Sequence, residues 1–152
     1  MAQQRVTVRT ADLEELVADI SGLPEALRSE VHERGLDEAG RIIAEYQRGS
    51  LAAEGLIDTG ELLESITIKK GKGYVDVYPN GKRKNGSRNE IVAHVLEVGR
   101  RPRPGKGLFG GVIKETEWMG KAAEAAADDV AAAVADIYDE VLERLWGQTT
   151  LF

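Results

Sequence analysis

The stretch Gly55-Leu56-Ile57-Asp58-Thr59-Gly60-Glu61-Leu62-Leu63-Glu64-Ser65-Ile66 divides the chain in two. Upstream, apolar residues recur with helical period; downstream, the period becomes two. Asp58 or Thr59 is a good helix N-cap, because a short side-chain oxygen can accept from the free amides of a first turn. Glu61 follows Asp58 by three residues, the spacing of a capping box. Leu62-Leu63-Glu64-Ser65 then supplies one or two turns, and Ile66-Thr67-Ile68-Lys69 alternates as a strand. The stretch therefore predicts a helical first third that hands over to a sheet.

Working back from it, residues 24–49 have helical spacing, with Leu27, Val31, Leu36, Ala39, Ile42, Ile43 and Tyr46 as the apolar positions. Pro24 suits the start, since it needs no amide partner there. Gly35 and Gly40 each cost about 1 kcal/mol relative to alanine, and mark a close approach or a bend. Gly49-Ser50 either ends this helix or interrupts it, with Leu51-Ala52-Ala53-Glu54 adding a further turn. Earlier still, Thr10 or Asp12 caps a short helix through Ile20, ended by Ser21-Gly22. Val6-Thr7-Val8 has the pattern of a short strand.

Working forward, residues 66–69 and 74–78 form an antiparallel hairpin around Lys70-Gly71-Lys72-Gly73, with one wet face. Residues 82–89 contain no apolar side chain and read as a mobile loop. Residues 91–98 carry β-branched side chains but also the helical set Ile91, Val95, Val98, with Asn89 and Gly99 as end signals; helix is the better reading. Residues 108–113 suit a further strand at the sheet edge or a clasping loop. From Glu115 to Trp146 runs a long helix with Val130, Val134, Ile137, Val141 and Leu145 as its stripe. Its alanine-rich first part suits close contact on more than one side. Residues 147–152 read as a frayed tail. The fold class is α+β in a single domain, 1–152: a small antiparallel sheet packed against the long C-terminal helix and an N-terminal helix. Within it, 1–22 is an N-terminal segment with a short helix, 23–146 the core and 147–152 the tail.

The 152 residues contain no cysteine, which removes disulfides, thiolate metal sites and cysteine nucleophiles. No run approaches the ~18 apolar residues of a membrane span, and the N-terminus lacks an apolar signal core, so the expectation is a protein assembled in the cytosol without membrane contact. The net charge of −6 conceals a segregation: residues 69–106 hold eleven basic and three acidic side chains, net +8, leaving nine basic and twenty-three acidic, net −14, in the remainder. Such a pattern fits charge-guided self-association or an acidic partner.

The candidate chemistry is sparse. Asp58-Thr59-Gly60 is the signature of aspartic proteases, where two aspartates share a proton and activate water. That fold is almost entirely β, whereas helices flank the motif in this chain, so an aspartic hydrolase at Asp58 ranks third among the functions considered. His32 sits among Glu30, Glu33 and Arg34 and reads as a surface residue; His94 reads as packing. No two-histidine metal spacing exists, and the two Gly-Lys-Gly triplets are too short for a phosphate loop. No catalytic, cofactor or metal residue is assigned. Lys82, Arg83, Lys84 and Arg88 in one loop, and Arg100, Arg101, Arg103 and Lys106 in another, are candidate contacts to phosphates or to a protein partner. No aromatic residue is interleaved with them to stack on bases.

With these elements in place, the chain resembles the gene-product-ten-like tail-component proteins of tailed bacteriophages, also described as head–tail connector, neck or tail-completion proteins. Members carry Ala-Pro-Val-Asp-Thr-Gly-x-Leu-x-x-Ser-Ile after an N-terminal helix, then a hairpin, a segment ending Val-Glu-x-Gly-Thr, a Pro-rich stretch and a last helix. Asp58, Thr59, Gly60, Leu62, Ser65 and Ile66 match the first motif in its spacing. Leu96-Glu97-Val98-Gly99 matches the second, through Glu97 and Gly99. Pro102-Arg103-Pro104 follows, and Trp118, Lys121 and Ala122 fall where the last helix begins. The resemblance spans about residues 23–145. Gly55-Leu56-Ile57 stands in place of Ala-Pro-Val, Arg100 in place of threonine, and residues 105–113 lack the common Pro-Phe-Leu-Arg-Pro ending.

The resemblance implies a structural virion protein rather than an enzyme, acting at the head–tail junction after assembly in the host cytoplasm. It implies portal, neck or tail proteins as partners, a ring of subunits as the assembled form, and DNA passing nearby. Basic loops would meet the acidic flank of the next subunit or the neighbouring neck proteins, and Glu97 would anchor a basic loop or a backbone. A nucleic-acid-binding protein using loops 82–88 and 100–106 is the alternative.

Overall fold

The computed structural model describes residues 5–53, 60–82, 84, 86–98 and 117–149; for residues 94, 95, 97, 98 and 147–149 it describes the backbone alone. The elements run β1 (Val6–Arg9), α1 (Thr10–Leu16), a 3-10 turn (Ala18–Gly22), α2 (Glu25–Ala53), α3 (Glu61–Glu64), β2 (Ile66–Gly71), β3 (Tyr74–Pro79), α4 (Asn89–Val98) and α5 (Trp118–Thr149). The chain is α+β, as the periodicities predict, with one three-stranded antiparallel sheet in the order β1-β3-β2.

The middle layer is α2. Val31, Leu36, Ala39, Ile42, Ile43, Ala44 and Leu51 are buried along it. One side meets the sheet, where Gly40 lies under Ile68 and Val75. Another meets α5 and α1, where Gly35 faces Val134 and Leu13. α5 lies antiparallel to α2. Arg34 and Arg144 bridge Glu140 and Glu30 near one end. Ser50 Oγ donates to the Trp118 carbonyl at 2.7 Å at the other, and between these the Tyr46 hydroxyl donates to Asp129. On α5 the expected Val130, Val134, Ile137 and Val141 are buried, together with Trp118, Met119, Ala122 and Ala126.

Several boundaries move. α2 continues through Gly49-Ser50 to Ala53, so these residues neither end nor interrupt it. α1 stops at Leu16, and the 3-10 turn then brings Ile20 into the core beside Leu13. Its N-cap is Arg9 rather than Thr10 or Asp12; the Asp12 carboxylate reaches back to accept from the Arg9 amide at 2.8 Å. Lys70 and Gly71 belong to β2, so the hairpin turn shrinks to Lys72-Gly73. α5 runs from Trp118 to Thr149 and takes in the first part of the expected tail. Val6-Thr7-Val8 does form a strand, paired with β3. Residues 89–98 are helical, as read. His32 is half-buried: its side chain is 18% exposed, with Nε2 3.2 Å from a Glu14 oxygen. The further strand at 108–113 lies outside the described residues, as do residues 115–116 of the expected helix.

The sheet's outer face is not uniformly wet either. Asp76 and Tyr78 on β3 are buried, because Arg5 crosses them. Its guanidinium lies 4.4 Å from the Tyr78 ring centroid and donates to Asp76 Oδ2 at 3.0 Å. Thr7 Oγ1 donates to Asp76 Oδ1 at 2.6 Å. α4 packs on the same strand and contributes Glu90, which is also buried.

The close approach at Gly40 is testable. A Cβ there would sit 2.9 Å from Ile68 Cγ2 and 3.0 Å from Val75 Cγ2, both on stiff β-branched side chains. Overpacking of this kind costs about 1–3 kcal/mol, against about 1 kcal/mol gained in helix propensity. Gly40→Ala should therefore lower stability in urea unfolding. Gly49→Ala, where nothing lies within 4 Å, should raise it by about 0.5–1 kcal/mol.

The α2–α5 ion cluster sets an acid limit. The Arg144 hydrogen bond holds the Glu30 carboxyl below its ordinary 4.5, and the Arg34 hydrogen bond does the same for Glu140. A depressed carboxyl gives stability that is complete above the unfolded value and is lost as pH falls through the folded one. Stability should therefore decline on acidification below 4.5. Glu30→Gln should flatten that decline in urea titrations run across the acid range. Lys70 has the opposite sign. Bonds from its ammonium to Glu33, then Asp37, raise its pKa above 10.5, so its contribution should persist below that value and vanish as pH climbs past it.

Candidate functional site

α3, the loop after β3, α4, the C-terminal end of α2 and the start of α5 meet at one end of the molecule. Ser50 links α2 to Trp118, and Trp118 Nε1 donates to the Ala93 carbonyl of α4 at 3.2 Å. Trp118 itself is fully buried. The described residues that flank segments 54–59 and 99–116 are the ends of these elements.

The first motif has a structural logic in the part that is described. Gly60 is the N-cap of α3 with φ of +83°, a left-handed conformation that costs a side-chain-bearing residue energy and glycine little. The N-cap position thus falls on Gly60, one residue after Thr59; Asp58 and Thr59 themselves lie outside the described residues. Leu62 and Ile66 enter the core. Ser65 joins three pieces: its hydroxyl donates to the Leu62 carbonyl at 2.6 Å, and its own carbonyl accepts from the Asn80 amide at 2.9 Å and from Thr67 Oγ1 at 2.9 Å. The motif's spacing therefore matches the register of a one-turn helix feeding an edge strand.

The basic loop is closed at its base. Lys82 and Arg88 form an isolated antiparallel bridge. The Asn89 amide donates to the Gly81 carbonyl at 2.9 Å, and Asn89 Nδ2 donates to the carbonyls of Asn80 at 3.0 Å and Gly81 at 3.3 Å. Asn89 is 4% exposed, so these bonds are shielded. Asn89 begins α4, as its end signal predicts, and is also the loop's clasp, a role that sequence alone does not predict. An asparagine eight residues after Pro-Asn-Gly, at the head of an apolar run, was the available sign.

Lys82, Lys84 and Arg88 point out of this closed loop and are exposed. They are not in a purely basic setting. An open cleft of about 330 Å³ is lined by Glu61, Glu64, Lys82 and Lys84 with Ser65 and Asn89. Arg88 also lies 3.6 Å from Glu90, whose other carboxylate oxygen is 3.9 Å from Arg5. The cleft mixes carboxylates with ammonium groups, and the one hydroxyl assigned a donor role in it, that of Ser65, is engaged by backbone. Among the described residues no group of three or more acidic or histidine side chains could hold a metal, and no helix is long and apolar enough to cross a membrane.

Asp58, Thr59, Gly99, Arg83, Arg100, Arg101, Arg103 and Lys106 lie outside the described residues, as do the side chains of Glu97 and His94. The structure thus brings Ser65 of the motif beside Lys82 and Lys84 of the basic loop, which the sequence separates, while Leu62 and Ile66 turn into the core. No family model, curated protein or solved structure matches the chain.

Asn89→Ala should release the loop. Losing buried bonds to two carbonyls costs on the order of 1–3 kcal/mol where the acceptors stay buried. Limited proteolysis with trypsin should then cut at Lys82–Arg88 earlier than in the unaltered protein, while far-ultraviolet circular dichroism stays helical. Cutting at the same rate in both would remove the clasp role.

Proposed function

We propose that this chain is a structural virion protein of a tailed bacteriophage, acting in head–tail joining or tail completion as a ring subunit at the neck. The observation that carries this reading is the order and spacing of Asp58-Thr59-Gly60-x-Leu62-x-x-Ser65-Ile66, Glu97-x-Gly99 and Pro102-x-Pro104 ahead of a long last helix. The α+β architecture and the structural use of Gly60, Leu62, Ser65 and Ile66 are compatible with a motif kept for a joint rather than for chemistry. Its proposed partners are portal, neck and tail proteins and further copies of itself, with the DNA passage nearby and the head–tail junction as its place.

Direct nucleic-acid binding is the competing reading, favoured by the exposure of Lys82, Lys84 and Arg88 on one closed loop. Glu61 and Glu64 beside two of these cations weaken it, since phosphates would meet carboxylates at the same cleft.

Electron microscopy of particles carrying a tagged copy should show the label as a ring between capsid and tail. A label elsewhere in the virion, or none, would sink the neck assignment. Duplex DNA binding at physiological salt, weakening steeply as salt rises, would favour the competing reading instead.

A further inference from the structure

In the strand order β1-β3-β2, one edge of β2 pairs with β3, and among the described residues no strand pairs with the other. The register fixes which backbone groups lie on that open edge. In an antiparallel pair, alternate residues bond the partner strand, and those between them turn N–H and C=O away. The Ser65 carbonyl accepts from the Asn80 amide at 2.9 Å, so Ser65, Thr67, Lys69 and Gly71 are the residues bonded toward β3. Ile66, Ile68 and Lys70 therefore turn their backbone groups outward. Arg48 agrees with that parity, since its Nη2 donates to the Ile66 carbonyl at 3.4 Å.

The edge is regular: each residue from Ile66 to Gly71 has one partner on β3, with neither a bulge nor a proline. Ile68 at its middle is 44% exposed, although its Cγ2 packs over Gly40. An open edge with an apolar side chain at its centre is a template for another strand. Lysines commonly guard such edges, but these two are turned aside. Lys70 reaches down to α2, where its ammonium lies 2.7 Å from Glu33 and 2.9 Å from Asp37. Lys69 falls on the opposite face of the sheet from Ile68.

The flank of α2 beside this edge carries opposite charges at its two ends. Beside Lys70, Glu33 and Asp37 share a single ammonium and keep one negative charge over. Beside Ile66, Arg48 is exposed, bonds a neutral carbonyl and meets no carboxylate among the described residues.

We infer that β2 pairs with β2 of a second copy, antiparallel, about a twofold axis at Ile68. Ile68 then lies opposite Ile68, Ile66 opposite Lys70, and Thr67 opposite Lys69, so no two lysines face each other. A register centred on Lys69 would set lysine against lysine. The twofold also reverses one α2 against the other, which brings Arg48 of each copy to Glu33 and Asp37 of its mate. The contact is isologous, so this charge match occurs twice and the assembly closes as a dimer. The inference goes beyond the neck reading and does not rest on it, because it describes the free chain.

The test combines sedimentation velocity of the full chain, up to ~1 mM at low salt, with amide exchange followed by nuclear magnetic resonance. The unaltered protein should dimerise as concentration rises. The amides of Ile66, Ile68 and Lys70 should gain protection with it, while those of Thr67, Lys69 and Gly71 stay as protected as before. Two exposed charges are then reversed, Arg48→Glu and Asp37→Lys, with circular dichroism to check that the helices persist. Either reversal alone should weaken dimerisation roughly threefold to thirtyfold, since an exposed pair is lost at two places. An equal mixture of the two variants should regain it, because both contacts are then between opposite charges. Net charge predicts otherwise: from −6, Arg48→Glu takes it to −8 and Asp37→Lys to −4, so general repulsion would make the second dimerise better. A monomer at ~1 mM, the outcome if another segment of the same chain covers the edge, would overturn the inference. So would a dimer without the alternating protection, stronger dimerisation of Asp37→Lys, or no recovery in the mixture.

Discussion

Everything in this fold leans on how closely α2 can approach its neighbours. A helix between a sheet and a second helix must bury on two sides, and a side chain at every position would hold the layers apart. Gly40 removes the obstacle toward the sheet, so Ile68 and Val75 rest almost on the helix backbone. Gly35 lets Leu13 and Val134 come in on another side. The helix gives up about 1 kcal/mol of propensity at each. It regains that through contact, in a chain where only 5% of residues are aromatic and large core side chains are few. Alanines 39, 44, 122 and 126 continue the same solution along α2 and α5.

That dependence explains which parts of the fold were legible. Helices 25–53 and 118–149 announce themselves because their stripes are long and their faces opposite. The hairpin announces itself by alternation. The position of β1 at the sheet edge depends on Arg5, Thr7 and Asp76 meeting across about seventy residues, and nothing local encodes that. The same contact buries Asp76 and Tyr78 on a face whose alternation reads as wet. Helix starts shift for a related reason: Asp12 looks like an N-cap but serves from inside the first turn behind Arg9, and the N-cap position of α3 falls on Gly60 in its left-handed conformation.

The motif stretch is clearer in structure than in sequence. Asp58-Thr59-Gly60 draws the eye to chemistry. In the described part, Gly60 turns the chain, Leu62 and Ile66 fill the core, and Ser65 knots α3 to the entry of the basic loop. Its hydroxyl is spent on the Leu62 carbonyl, which leaves the cleft with charge but no activated oxygen among its described lining. What the sequence kept apart, the motif and loop 82–88, the fold joins through Asn80 and Asn89.

Charge segregation acquires a direction once the fold is known. Glu30 and Glu140 meet Arg144 and Arg34 between α2 and α5, and Glu33 and Asp37 of α2 meet Lys70 of β2, so these pairs fasten the layers. The loop cations are held on a closed hairpin-like base at one end. There the fold brings Glu61 and Glu64 beside Lys82 and Lys84, and Glu90 beside Arg88, so charges that the sequence keeps apart meet within one copy. Screening confines such fields to about 8–10 Å at physiological salt, so these neighbouring carboxylates, rather than the distant acidic bulk of the chain, set the field that the loop cations present.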